Sequence, residues 1–346
     1  MEKKRLDIIC MGMALVDSII KGFDPEPVSA SGFCAQSGSL NVGGEAVNEA
    51  VSAARLGMKT GIVCALGEDG AADMILSQLQ KDGVDTVGVL RSADHPTPVT
   101  TMFVNSDGTR KSITNASHKY NFHPELHVPA FTCSRALILG SLFRAPFNDP
   151  KIIYSVVSEA KKAGQIVVAD TKLPNFVKLS LADIADSLPL LDFITPNKDE
   201  AKYYSGKTDP EDMADVFLSY GVKNVVIKLG AKGCFFKNAK TSFFLPAFPI
   251  EAADATGAGD CFVAGLTCEV LRILSEEAGE ESFGRGTGAG AELLSEDATI
   301  SLDILESRYR DILLFATACG AICTTKIGAI TALRDRAQVI EFLSNL

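Results

Sequence analysis

The segment Asp254-Ala-Thr-Gly-Ala-Gly-Asp260 sets small residues directly ahead of an apolar run, Cys261 to Leu271, with the composition of a buried helix. Small residues let the backbone come close to a ligand, and the free amides and dipole of a helix's first turn attract an anion. Asp260 at that terminus stands close to where a phosphate would sit. It suits a base that takes a proton from an attacking hydroxyl, in line with a transferring phosphate. The same residues also fit a plainer role: Gly257, Ala258 and Gly259 let a helix pack tightly while Asp260 offsets its dipole. Taken alone, the segment fits both.

Five further clusters have spacing of interest. Gly43-Gly44-Glu-Ala-Val-Asn48 opens a helix, and Gly67-Glu-Asp69 ends a strand. Asn197-Lys-Asp-Glu200 follows a strand; Leu229-Gly230-Ala-Lys-Gly233 follows another, and Lys326-Ile-Gly-Ala329 comes late in the chain. Each has an ordinary reading as well. Asn197 is a good helix N-cap, Gly230 and Gly233 suit a turn between strands, and Asp17 can cap a loop. Other patterns lead nowhere. Ser205-Gly206-Lys207-Thr208 imitates the end of a P-loop, but position 201 is Ala rather than Gly and the segment follows a helix. No G-x-G-x-x-G follows a strand, which counts against a nicotinamide-dependent oxidoreductase. His118, His123 and His127 surround Pro124, which breaks any helix that would align them on a metal.

Together the clusters resemble the signatures of the ribokinase-like (PfkB-type) carbohydrate kinases. D-A-T-G-A-G-D is similar to that family's D-T-x-G-A-G-D, and the other five match further family motifs in family order over nearly the whole chain. The resemblance implies ATP and Mg²⁺ as cofactors, with a monovalent ion such as K⁺ a further candidate, and a small sugar-like alcohol as acceptor. It makes Asp260 the catalytic base and the amides of Gly257, Ala258, Gly259 and Asp260 an anion hole for the transferring phosphate. Asn197 and Glu200 would hold Mg²⁺, through water since that ion keeps much of its shell. Thr256, Gly257, Gly259, Asn197, Lys228, Gly230 and Gly233 would lie against the nucleotide. Asp17, Gly43, Gly44 and Asn48 would line the acceptor pocket, joined by Arg110. Lys228 stands where relatives often carry Thr, and could reach phosphate or point to solvent. Glu45 would favour a neutral polyol, whereas Arg110, Asp170 and Lys172 could read a sugar acid or phosphate. A nucleoside or a sugar phosphate therefore stays open as acceptor. A non-catalytic sensor on this fold would have no use for a base at Asp260.

The elements that must position these residues alternate from end to end. Strands are predicted at 6–11, 60–66, 136–139, 166–169, 192–195 and 224–229, with a hairpin of 233–237 and 241–245. Helices are predicted at 47–54, from Asp69 to before Gly83, and at 150–163, 197–204, 210–219, 257–274, 308–325 and 335–344. Short apolar strands alternating with helices imply a mostly parallel sheet covered on both faces, a three-layer α/β/α domain spanning 1–346. In such a sheet ligands bind beyond the carboxyl ends of the strands, where Asp17, Asn197, Gly230 and Asp260 all fall. Two regions break the rhythm. Val99 to Val104 and Lys111 to Thr114, joined by Asn105-Ser-Asp-Gly108, read as a hairpin. With about 13–42 the region 86–118 forms a small β-strand lid. Residues 276–300, acidic and Gly-rich, read as a surface insertion without chemistry.

A formal charge of −10 argues against a nucleic-acid or anionic membrane partner, both of which need a basic face. Nine cysteines, without a CxxC pair and largely within apolar runs, read as buried thiols in a reducing compartment, so the cytoplasm is the expected address. A homodimer through the lid strands is expected from the resemblance alone.

Overall fold

The computed structural model describes residues 6–22, 35–105, 109–115, 122–277 and 302–345. The elements run β1 (Leu6–Met11), β2 (Leu15–Lys21), β3 (Ser37–Gly43), α1 (Glu45–Arg55), β4 (Thr60–Gly67), α2 (Gly70–Lys81), β5 (Val89–Ser92), β6 (Val99–Val104) and β7 (Arg110–Thr114). There follow α3 (Val128–Phe131), β8 (Ser134–Leu142), α4 (Pro150–Lys162), β9 (Ile166–Thr171), β10 (Phe193–Ile194), α5 (Lys198–Ser205), α6 (Pro210–Ser219) and β11 (Asn224–Lys228). The hairpin β12 (Cys234–Asn238) and β13 (Ser242–Leu245) leads to α7 (Ala258–Glu277), α8 (Tyr309–Cys323) and α9 (Arg336–Ser344).

Nine strands form one sheet in the order β13-β12-β11-β10-β9-β8-β1-β4-β5. All pairs are parallel except those of the hairpin at one edge, β11 with β12 and β12 with β13. Both faces are covered, so the central strands are apolar at nearly every position and successive residues serve opposite cores. In β1, Ile8 and Cys10 pack with α1, α2, α7, α8 and α9, while Ile9 and Met11 pack with α4, α5 and α6. Helix starts follow local chemistry. Asp69, Asp149, Asp209 and Asp335 each accept a backbone N–H from the first turn of α2, α4, α6 and α9, and thereby satisfy one of the otherwise unpaired amides.

A second sheet of four strands, in the order β3-β2-β6-β7, stands outside the first. The hairpin expected from Asn105 to Gly108 is β6 with β7, paired from Thr100 with Thr114 to Val104 with Arg110; residues 106–108 lie outside the described ones. The lid is smaller than the region 86–118, because Val89–Ser92 pairs parallel with β4 and completes the edge of the main sheet. That strand is short, only partly buried and carries Arg91, so it has no long apolar run to announce it. Of the insertion expected at 276–300, residues 276 and 277 finish α7 and the remainder lies outside the described residues, as do Cys34 and His118.

Candidate functional site

Gly257 precedes α7 with a φ of 78°, left-handed backbone that favours glycine. A Cβ there would lie 2.6 Å from Cα of Ala329, so the 326–329 loop rests directly on this turn. Asp254 fastens the two together: Oδ1 accepts from Thr256 N at 3.0 Å and from Thr256 Oγ1 at 2.7 Å, and Oδ2 accepts from Gly328 N at 3.0 Å. The Thr256 hydroxyl, expected against the nucleotide, is thus held by Asp254. The Ala258 amide donates to the Ala255 carbonyl at 3.3 Å, so it enters an anion hole only by giving up that bond.

Asp260 is buried in the first turn of α7, 6% exposed, and its Oδ2 accepts from Asn48 Nδ2 of α1 at 2.7 Å. Burial pushes its carboxyl up to about 6; the Lys172 ammonium opposes this, and Glu45 and Asp170 add to it. A carboxylate poised there is ionised at neutral pH yet more basic than a surface aspartate, which suits it to take a proton.

Among the residues expected to line the acceptor pocket, Asp17 lies on β2, opposite Asn41 of β3 and Thr100 of β6. Burial, and then Glu45, raise its carboxyl to about 6. A Cβ on Gly43 would meet Asp17 Oδ2 at 2.7 Å, so glycine makes room for this carboxylate. Gly44 caps α1 with a φ of 95° and lies against the Met13 carbonyl, which a Cβ would meet at 2.5 Å. Glu45 is paired with Lys172 at 3.1 Å, so each neutralises much of the other. Arg110 opens β7, and its side chain lies outside the described residues.

On the other side of Asp260, Lys228 ends β11 and is not turned to solvent. Its Nζ donates to Asp170 Oδ1 at 2.5 Å, and Thr195 Oγ1 donates to the same oxygen at 2.8 Å. The ammonium lies 3.2 Å from where a Cβ on Gly259 would be, so a positive charge stands at the glycine turn. Asn197 caps α5 and forms a capping box with Glu200, as the plain helix-start reading expects. Glu200 is almost fully buried: Oε1 accepts from Asn197 Nδ2 at 2.7 Å, while Oε2 accepts from Thr171 Oγ1 at 2.8 Å and from Asn197 N at 2.9 Å. With its oxygens so engaged, this pair fits a hydrated Mg²⁺ held through water rather than directly. Gly230 and Gly233 bound a tight turn after β11 with φ of 59° and 107°. A Cβ on Gly233 would lie 2.0 Å from the Leu245 carbonyl, so its glycine is required by the packing of β13.

Gly43 meets Asp17, Asn48 meets Asp260, and Gly259 meets Lys228, which bridges to Asn197; Glu45 acts on both Asp17 and Asp260. Gly67 and Asp69 do something else: Asp69 accepts from Ala72 N at 2.9 Å and Thr97 N at 2.8 Å, and so ties α2 to the strand entering the lid. Two groups were not expected from the sequence. Glu49 of α1 is fully buried between Asp170 and Asp260, and the Asp170–Lys228 pair crosses from β9 to β11. The available signal was Glu49 lying four residues after Glu45 and next to Asn48 on a helix otherwise lined with Ala and Val. A cavity of about 550 Å³ opens nearby, between Asn41 of β3, Met74 and Gln78 of α2, and residues 328–331.

A parallel sheet that presents a glycine-led helix start, a buried carboxylate and a covering small sheet at one edge is the layout of a ribokinase-like enzyme. A sequence model of the pfkB family carbohydrate kinases matches residues 8–336, and the chain belongs to that family: it is a carbohydrate kinase. Among curated relatives, the ribokinase of Staphylococcus aureus is 27% identical over 274 residues, covering 76% of this chain and 86% of that protein. Fructokinase-2 of Solanum lycopersicum is 26% identical over 347 residues, covering 97% and 95%. The fold is that of Arabidopsis thaliana ribokinase complexed with ribose and ATP, at a TM-score of 0.77 and 22% identity over 98% of this chain and 99% of that one. A fructokinase double mutant from Vibrio cholerae, solved with fructose, ADP and potassium ion, superposes at a TM-score of 0.75 and 22% identity, covering 99% and 100%.

Proposed function

We propose that the chain transfers the terminal phosphoryl group of ATP to a hydroxyl of a neutral, sugar-like polyol, with Asp260 as general base. The observation that carries this is the position of Asp260: buried in the first turn of a glycine-led helix, with Oδ2 held by Asn48. Its Oδ1 is then the oxygen that takes the acceptor proton as the hydroxyl oxygen attacks. ATP bound with Mg²⁺ supplies the transferable phosphoryl group. The amides of Gly259 and Asp260, with Lys228 Nζ beside them, face the charge that develops on it; losing one such donor costs about 3 kcal/mol in other systems. Asn197 and Glu200 hold the ion's water shell, and Gly230 lies against the nucleotide. Asp17 accepts from acceptor hydroxyls, a task suited to a carboxylate because it takes two donors with charge-assisted strength, and Asn48 and the glycines at 43 and 44 shape the pocket around it.

A neutral acceptor is favoured over a phosphate or sugar acid because Lys172 is already paired with Glu45, and Asp17 adds negative charge. Among the described residues no helix is long and apolar enough to cross a membrane. The buried free thiols support a reducing, cytoplasmic setting. The exposed apolar side chains Leu40 and Ile113 on the small sheet support pairing with a second copy through the lid.

The test is a panel of polyols, nucleosides and sugar phosphates, read by ADP release, in K⁺ and in Na⁺. Turnover with a nucleoside or a sugar phosphate and none with any neutral sugar would overturn the acceptor class.

A further inference from the structure

Three buried carboxylates meet beside the base. Glu49 of α1, Asp170 of β9 and Asp260 of α7 offer oxygens that all lie within 4.8 Å of one another. Glu49 has no exposed surface, and neither Oε1 nor Oε2 has a hydrogen-bond partner. Asn48 Oδ1 is likewise buried without a partner, although its amide nitrogen holds Asp260. A buried carboxylate without donors is costly unless a cation or a proton compensates it. The charges facing the cluster do not supply that compensation. Glu45, Glu49, Asp170, Glu200 and Asp260 are five carboxylates, against the ammonium groups of Lys172 and Lys228. Lys172 is paired with Glu45, and Lys228 occupies Asp170 Oδ1 and leaves the other oxygen of that carboxylate.

We propose that Glu49, Asp170 and Asp260 form a divalent-cation site, separate from Asn197 and Glu200, whose occupancy withdraws Asp260 from the acceptor hydroxyl. An all-oxygen donor set suits a hard ion such as Mg²⁺, Mn²⁺ or Ca²⁺. Ca²⁺–oxygen distances of roughly 2.3–2.6 Å place opposite ligands up to about 5 Å apart, which spans the separations found here. Three carboxylates from three elements, one of them with both oxygens unengaged, stand within reach of one such ion. Asp260 bound in this way has its lone pairs directed at the metal and no longer accepts a proton. The site is therefore inhibitory, filled when free divalent ion is in excess of nucleotide.

The experiment is a titration of the full chain with Mn²⁺ alone, without nucleotide, following free Mn²⁺ by electron paramagnetic resonance. The wild type is expected to bind, Glu49→Gln to bind at least tenfold more weakly, and Glu200→Gln to bind as the wild type does. Added Mn²⁺ is expected to raise the melting temperature of the wild type and not that of Glu49→Gln. No binding to the wild type, as when Glu49 holds a proton instead of an ion, overturns the proposal. Binding that is lost in Glu200→Gln but kept in Glu49→Gln overturns it as well. Should Glu49→Gln fail to fold, Glu49→Asp keeps the charge and shortens the reach: weaker Mn²⁺ binding supports the site, and unchanged binding overturns it. None of these readings depends on the acceptor, so their failure leaves the kinase panel untouched, and the reverse holds.

Discussion

At the level of single residues, Asp17 and Asp260 share a feature: burial pushes both carboxyls up to about 6. In the mechanism we propose, each must be ionised, one to accept hydroxyl protons and the other to remove one. The profile of kcat/KM should therefore climb steeply below pH 6, with a limiting slope of two, and level off above it. Asp17→Asn should reduce that slope to one and raise KM for the acceptor by roughly 10–100-fold, the worth of a charge-assisted hydrogen bond. Asp260→Asn should bind ATP near normally while turnover falls by about 10²–10⁴, the usual contribution of a general base; single-turnover kinetics check both. Stability should move the other way. The folded pKa of Asp260 lies above its ordinary 3.8, so its contribution is fully present below 3.8 and is lost as pH rises through about 6. Asp260→Asn, which stays neutral, should therefore be the more stable form above pH 6, by about 1–3 kcal/mol in urea unfolding. Asp260 and Asn48 could be read from the sequence because each sits in a short motif of fixed spacing. Glu49 could not, and neither could the pairing of Asp170 with Lys228, because their meaning comes from α1, β9 and β11 converging, and nothing local in the chain records that convergence.

At the level of elements, glycines at close approaches matter more than propensity does. Gly257→Ala would place a methyl group against the Ala329 backbone and force a left-handed residue, at a cost of about 2–4 kcal/mol. Because that turn carries the amides proposed to bind the phosphate, KM for ATP should rise along with the loss of stability; denaturant melts and initial rates distinguish the two. Asp69→Ala removes the cap of α2 and the bond to Thr97, and should cost about 1–2 kcal/mol with little effect on turnover at saturating substrates. Most elements were legible because a strand buried on both faces is an unbroken apolar run and the helices carry their own caps. β5 was one exception: an edge strand with Arg91 exposed has neither alternation nor a run, and its membership is decided by pairing with β4.

For the whole molecule, the small sheet is tied to the main one through several crossings. β1 passes through Gly12 into β2, and β3 passes through Gly44 into α1, the helix that presents Asn48 to Asp260. The small sheet is thereby joined directly to the helix whose Asn48 holds Asp260. If the lid pairs two copies, Leu40→Glu with Ile113→Lys should yield a monomer in sedimentation experiments while ATP binding persists.

The register of the small sheet has a consequence for how the chain is made. Val16 lies beside Val99, and the first strand of the main sheet needs Ser134 to Leu142 as its second neighbour. A ribosome therefore releases β1 and β2 well before β8 and β6, their second neighbours, exist, although β4 and β3 follow sooner. Closing such long loops is entropically costly and slow. Each of these strands must wait with one edge open until its second neighbour is made, and during synthesis those open edges are where a chaperone would act.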